Sequence, residues 1–204
     1  MNKPIPVNLA VEDSLSDAVC RKLLHGSGRA FAIGATFSRG GYGYLRKTIE
    51  GFNRAARGTP FLVLTDLDRG ECAPSLQREW LIGEMHPNLI FRVAVREVES
   101  WLLAHREAFA DYIGIPRKLI PQAVDDVRNP KEFLLSLAAK SRRRELRKDL
   151  LPREDSTSKQ GPNYNGRLIE FVQHNWDPLE AGKFSSSLHR ALARITSFEP
   201  TWLH

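Results

Sequence analysis

The sequence predicts an α/β protein. A mostly parallel sheet of about four strands is flanked by helices and followed by an α-helical C-terminal extension. Three observations carry that expectation. Short apolar runs alternate with helix-period segments about four times through the first ~115 residues. The run Phe61-Leu-Val-Leu-Thr65 is almost continuously apolar, as in a parallel strand covered on both faces. Beyond Ile115 no strand pattern recurs.

Residues Val7–Val11 read as the first strand, β-branched at both ends. Ser14 or Ser16 offers an N-cap for the next helix, which carries Ala18, Val19 and Leu23 on one side and stops at His25-Gly26. Phe31–Thr36 reads as the second strand and Ser38–Gly43 as a loop. A helix through Leu45, Ile49 and Phe52 ends near Gly58. Phe61–Thr65 is the third strand, and a helix through Leu76, Trp80 and Leu81 follows. Leu89–Val95 is the fourth strand, and one amphipathic helix is expected over Ser100–Tyr112. Later helices are expected at Lys131–Leu137, Leu168–Trp176 and Ser187–Ile195, with a polar loop over Leu151–Pro162. Trp101 and Tyr112 fall at helical spacing and read as core.

The 204 residues are 42% hydrophobic and 26% charged, which excludes a largely disordered chain. No apolar run is long enough for a membrane span, and the N-terminus resembles no signal or transit peptide. Two cysteines without CxxC spacing fit a reducing, cytoplasmic location. The six histidines show no zinc-ligand spacing. There is no GxxxxGK[ST] and no GxGxxG after the first strand, so P-loop and dinucleotide-binding folds are disfavoured.

Ligands of parallel α/β sheets bind at the carboxyl ends of the strands. Three of the four ends carry acids: Glu12-Asp13, Asp66-Leu-Asp68 and Glu97-Val-Glu99. Asp13 suits a helix cap or turn, and its neighbour Glu12 a ligand role. In extended chain, Asp66 and Asp68 share a face, as do Glu97 and Glu99. Five carboxylates on one rim repel unless compensated, and one or two Mg²⁺ or Mn²⁺ ions, which prefer oxygen ligands, supply compensation. Such ions position a phosphodiester and activate water.

Glu12 in Leu-Ala-Val-Glu-Asp, followed by Asp66 and Asp68 in Val-Leu-Thr-Asp-Leu-Asp, resembles the TOPRIM domain of topoisomerases, primases and OLD-type nucleases. That family has a glutamate after its first strand and a DxD after its third. The stretch Arg92-Val-Ala-Val-Arg-Glu-Val-Glu-Ser-Trp-Leu-Leu-Ala104 resembles a signature of small TOPRIM proteins related to OLD nucleases. The resemblance spans about residues 5–110 and, more weakly, the tail. It departs from the pattern at Asp13, where a glycine is usual, and around Ser16 and Asp17, where OLD-type nucleases carry a second acid. It implies a TOPRIM-like core over 1–115 and a helical basic extension over 116–204 packed on it. It also implies a second metal position completed by Glu97 and Glu99, and a lysine contributed from the C-terminal side, for which Lys159 is the candidate. Relatives of this kind function with a partner ATPase in defence against phage or plasmids. This chain has no ATPase motif, so that partner would be a separate protein.

The net charge is +6. Residues 117–160 hold 12 Lys/Arg against 7 Asp/Glu, so +5 of that excess lies there. Arg142, Arg143, Arg144, Arg147 and Lys148, with Arg39 and Arg69 near strand ends, are the candidate nucleic-acid contacts. Arg96 alternates away from Glu97, toward the opposite face. The expected activity is a Mg²⁺- or Mn²⁺-dependent nuclease acting on DNA in preference to RNA, with Glu12, Asp66, Asp68, Glu97, Glu99 and Lys159 as its site. Two alternatives stand beside it. One is a non-catalytic nucleic-acid-binding or toxin/antitoxin-type module. The other is a haloacid-dehalogenase-type phosphatase with Asp66 as nucleophile and Asp125-Asp126 as its later acidic pair.

Overall fold

Along β1 (Ile5–Val11), Val7, Leu9 and Val11 alternate with Asn8 and Ala10, so side chains leave for both faces of a sheet. The computed structural model, which describes residues 3–202, places β1 inside a four-stranded sheet. The chain continues through α1 (Ser14–Gly26), β2 (Phe31–Phe37), α2 (Gly41–Ala55), β3 (Phe61–Asp66), α3 (Ala73–Trp80) and β4 (Leu89–Ala94). The strand order is β2-β1-β3-β4, and every pairing is parallel. The α/β class, the four strands and the flanking helices match the sequence expectation.

Successive side chains of a strand face opposite ways, and this alternation sorts the core into two layers. Phe61 and Val63 of β3 turn toward Leu45, Ile49 and Phe52 of α2 and Leu76 and Trp80 of α3. Leu62 and Leu64 turn to the other face. That face is covered by α1, by α4 (Val98–Ala104) and by the helices that follow. These are α5 (Arg106–Ile113), α6 (Pro130–Ala138), α7 (Arg144–Leu150), α8 (Tyr164–His174), α9 (Pro178–Gly182) and α10 (Ser186–Thr196). Leu168 and Phe171 of α8 and Leu188 and Ile195 of α10 join Val7, Leu9, Leu62 and Ile90 in one continuous apolar cluster. The C-terminal helical region is therefore a layer of the sheet's own core.

Trp101 is fully buried. Its indole nitrogen donates to Ser187 Oγ at 2.7 Å, and its carbonyl accepts from Trp176 Nε1 at 3.0 Å. Tyr112 is buried too, and its hydroxyl donates to the Arg167 carbonyl at 2.8 Å. Both hold the core, as their helical spacing suggested.

Three local details differ from the sequence expectation or refine it. The cap of α1 is Asp13, the acid that the sequence suited to a cap or turn, and not Ser14 or Ser16; its Oδ1 accepts from the Ser16 amide at 2.8 Å. The helix expected over 100–112 is two helices. His105 leaves helical geometry at ψ 63, its Nδ1 accepts from the Asp177 amide at 3.0 Å, and Arg106 donates to the Ile120 carbonyl at 2.7 Å. Those distant contacts override the helical period. The polar segment 151–162 is loop as expected, and Gly161 pins its end. A Cβ at Gly161 would collide with the Asp149 carbonyl, so only glycine permits the approach.

Candidate active site

The strand order locates the site. From β1 the chain moves outward to β2, then crosses back to β3 on the other side of β1. The carboxyl ends of β1 and β3 therefore flank a topological switch point, where such sheets bind ligands. Glu12 follows β1, and Asp66 ends β3. Val11 pairs with Leu64 in the register. One residue further on, Glu12 Oε1 accepts from the Asp66 amide at 2.9 Å and from the Thr65 hydroxyl. Parallel pairing thus fixes the first glutamate against the aspartate.

The turn after β4 supplies the remaining acids. Asp66 Oδ1 accepts from the Val98 amide at 2.9 Å, which ties β3 to the N-terminus of α4. Glu97 Oε2 accepts from the Lys131 amide at 2.7 Å, at the N-terminus of α6. Glu99 is 3% exposed. Its Oε1 accepts from the Tyr164 hydroxyl at 3.0 Å and lies 3.5 Å from the Lys131 ammonium. Helix N-termini carry partial positive charge, so α4 and α6 partly offset the acids. The Asp66 and Asp68 pair does not share an extended face, because β3 ends at Asp66 and the chain turns at Asp68 with φ +49. Glu97 and Glu99 are likewise not in extended chain: Glu97 is the cap of α4 and Glu99 lies in its first turn.

The cost of the grouping shows in the ionisation of its members. Desolvation, then the charges of Glu99, Glu12, Asp68 and Glu97, hold Asp66 well above the usual carboxylate range. Desolvation raises Glu12 as well, against the opposing hydrogen bonds from Thr65 and Asp66. Glu97 is also raised, first by desolvation and further by the charge of Glu99. For Lys131, desolvation works against the charged form, but Glu99, Glu97 and Asp66 outweigh it and raise the ammonium.

Beside this rim lies a cleft of about 850 Å³. Asp68 and Glu97 border it, together with Arg69, Arg128, Lys131 and Lys159. The structure thus brings Lys159 and Arg69 to the same cleft as two of the predicted acids. It does not bring the arginine-rich segment there. Arg142, Arg147, Lys148 and Arg39 are exposed and outside the cleft lining, while Arg143 and Arg144 line a separate groove with Tyr112, Arg167 and Glu170. Arg96 does not leave for the opposite face. Its guanidinium donates to the Gly70 carbonyl at 2.7 Å and braces the loop that carries Asp68, because the chain after β4 turns instead of continuing the strand alternation. The Val95–Arg96 peptide in that turn is cis. Asp17 pairs with Arg21 at 2.8 Å on α1. Asp125 accepts from the Ser186 and Ser187 amides at the start of α10, and neither it nor Asp126 lines the cleft.

Comparisons with family models, curated proteins and solved structures return no match. The site is therefore read from its own chemistry.

Among the described residues, no group of three or more His, Cys, Asp or Glu side chains is arranged so that it could hold a metal ion. The donor set nevertheless suits a hard cation. It is all carboxylate, with no thiol or imidazole. Glu12, Asp66, Glu97 and Glu99 each commit one oxygen to a hydrogen bond, and the second oxygen accepts none from the described residues. Lys131, Thr65, Tyr164 and Arg128 are the participants that the sequence reading left unassigned. Lys131 carried a usable signal: a cation at the second position of a helix opposes the dipole, which calls for an acid nearby.

Proposed function

We propose that this chain is a Mg²⁺- or Mn²⁺-dependent nuclease whose site is the carboxylate rim at the ends of β1, β3 and β4. The observation that carries this reading is the convergence on Asp66 of four further acids, beside a cleft lined by Arg69, Arg128, Lys131 and Lys159. Acids grouped in this way repel one another, and the hydrogen bonds of Glu12, Asp66, Glu97 and Glu99 occupy only one oxygen of each. Facing cations, such acids fit a cation-assisted reaction on a polyanion.

Glu12, Asp66 and Asp68 are the residues that would hold the ion, with Glu97 and Glu99 closing the rim. A divalent ion, when bound, supplies Lewis-acid activation of a phosphodiester and of its water nucleophile. The chain's own residues do the rest. Thr65 and the Asp66 amide orient Glu12. Arg96 fixes the loop that carries Asp68. Lys159, Arg128 and Arg69 hold phosphate oxygens and oppose the charge that develops on them. DNA is the preferred substrate class. The TOPRIM resemblance supports the same assignment, and a separate ATPase partner in phage or plasmid defence belongs to that proposal.

A second reading has one observation in its favour. Glu12, Asp66 and Glu97 each bind a backbone amide of another element, and Glu99 binds the Tyr164 hydroxyl. Such bonds fit a non-catalytic nucleic-acid-binding module whose acids tie its loops together. Cleavage assays with Mn²⁺ on linear and circular DNA separate the two. The nuclease reading expects cleavage that EDTA stops and that Glu12→Ala and Asp66→Ala each remove. Full cleavage by both variants overturns it. Binding without cleavage, unaffected by EDTA, supports the module.

A further inference from the structure

Among the described residues, Lys131 meets both acids contributed after β4, Glu97 through its backbone amide and Glu99 through its ammonium. Its backbone amide is bound to Glu97 Oε2 at 2.7 Å. Its ammonium stands 3.5 Å from Glu99 Oε1 and 5.9 Å from the centroid of the Tyr164 ring. Tyr164 donates to the same Glu99 oxygen at 3.0 Å, so the ring, the carboxylate and the ammonium form one unit. The amide is fixed by the start of α6, which leaves the side chain tethered over the pair.

A second divalent ion bound by Glu97 and Glu99 would have to share that space with a positive charge. Among the described residues no cation stands within 4 Å of the Glu12, Asp66 or Asp68 carboxylates, and Lys131 acts on Asp66 only at longer range: Glu12 is held by Thr65 and the Asp66 amide, and Asp66 by the Val98 amide. We infer that the Lys131 ammonium, held against Glu99, takes the place of a second divalent ion at Glu97 and Glu99, so that the rim takes a single divalent ion, at Glu12, Asp66 and Asp68. This narrows the one or two ions expected from the sequence to one, and it rests on the metal-dependent reading above. Lys131 then has a role separate from phosphate binding. It sets the stoichiometry of the site and gives the buried Glu99 an ion-pair partner before any ion arrives.

The test is a Mn²⁺ titration of the full chain, in which the electron paramagnetic resonance signal of free Mn²⁺ counts bound ions without reference to activity. Wild type and Lys131→Arg are expected to bind one Mn²⁺ per chain. Lys131→Met, which keeps the stem and removes the charge, is expected to bind two. Lys131→Gln serves the same purpose if the methionine variant does not fold. The double variant Lys131→Met with Glu99→Gln is expected to return to one. Two ions in wild type overturn the inference, as does one ion in both wild type and the neutral variant; that last result leaves the metal-dependent reading standing. No bound Mn²⁺ in any of them overturns that reading and this inference with it.

Discussion

Replacing Asp66 by asparagine should stabilise the metal-free protein, although it removes a residue at the centre of the site. The asparagine keeps an oxygen to accept from the Val98 amide, now held at 2.9 Å by Asp66 Oδ1. Its amide nitrogen adds a donor facing acids that Asp66 repels. Four acids act on Asp66: Glu99, Glu12, Asp68 and Glu97. A like-charge pair about 6 Å apart costs roughly 3 kcal/mol at an effective dielectric near 20. Lys131 and the helix N-termini cancel much of that, so a net gain of about 1–3 kcal/mol is expected. For a chain of this size, that is a rise in Tm of roughly 2–12 °C. Asp66→Ala should go the other way, because it strands the Val98 amide at a cost of about 1–3 kcal/mol.

The pH dependence carries the sign of the same effect. Asp66, Glu12 and Glu97 all have folded pKa values raised above their unfolded ones. Their contribution is therefore fully present below the unfolded pKa and is lost as pH rises through the folded pKa. Metal-free wild type should lose stability from about pH 4 upward on account of these groups, and Asp66→Asn should flatten that slope. Mn²⁺ at about 100 times its Kd should restore roughly 2.7 kcal/mol to wild type and much less to Asp66→Asn. Thermal melts from about pH 4 to 8, in EDTA and in MnCl₂, read all of this. An Asp66→Asn protein that is less stable than wild type at about pH 7 in EDTA would refute the reasoning.

Three further outcomes are expected. Tyr164→Phe removes a donor to the buried Glu99 carboxylate and should cost about 1–3 kcal/mol in urea denaturation. Trp101→Ala opens a cavity where α4 meets α10 and the segment after α8, and should cost about 3–5 kcal/mol in the same assay. In DNA binding, the double change Arg69→Ala with Lys159→Ala should weaken affinity and lower the salt slope by about 0.9 per lost phosphate contact, whereas Arg142→Ala, Arg143→Ala and Arg144→Ala together should change it little.

The strands were legible because their information is local. A run such as Phe61–Thr65 can be buried on both faces only in a sheet covered by helices on each side, and it is. Glu12 and Asp66 were legible for the same reason, since an acid directly after such a run sits at a strand end whatever the rest of the chain does. Which acids touch was not legible. The Glu12 contact to the Asp66 amide depends on β1 pairing with β3, not with its sequence neighbour β2 alone. The break at His105 depends on Asp177, which lies 72 residues further along the chain. Charge density did not reveal which basic residues line the cleft. The segment Lys140–Lys148 is the most basic stretch of the sequence, yet α7 packs with its flanking arginines beside Tyr112 and Arg167, outside the cleft lining. A single lysine at the start of α6, inconspicuous in composition, stands against the acids instead.

The central claim is that Glu12, Asp66 and Asp68 hold a divalent ion. Anomalous scattering from Mn²⁺-soaked crystals tests it most directly. The account predicts a manganese peak within coordinating distance of carboxylate oxygens from those three residues. Crystals soaked at millimolar Mn²⁺ that show no peak there, or a peak bound only elsewhere on the chain, would contradict it.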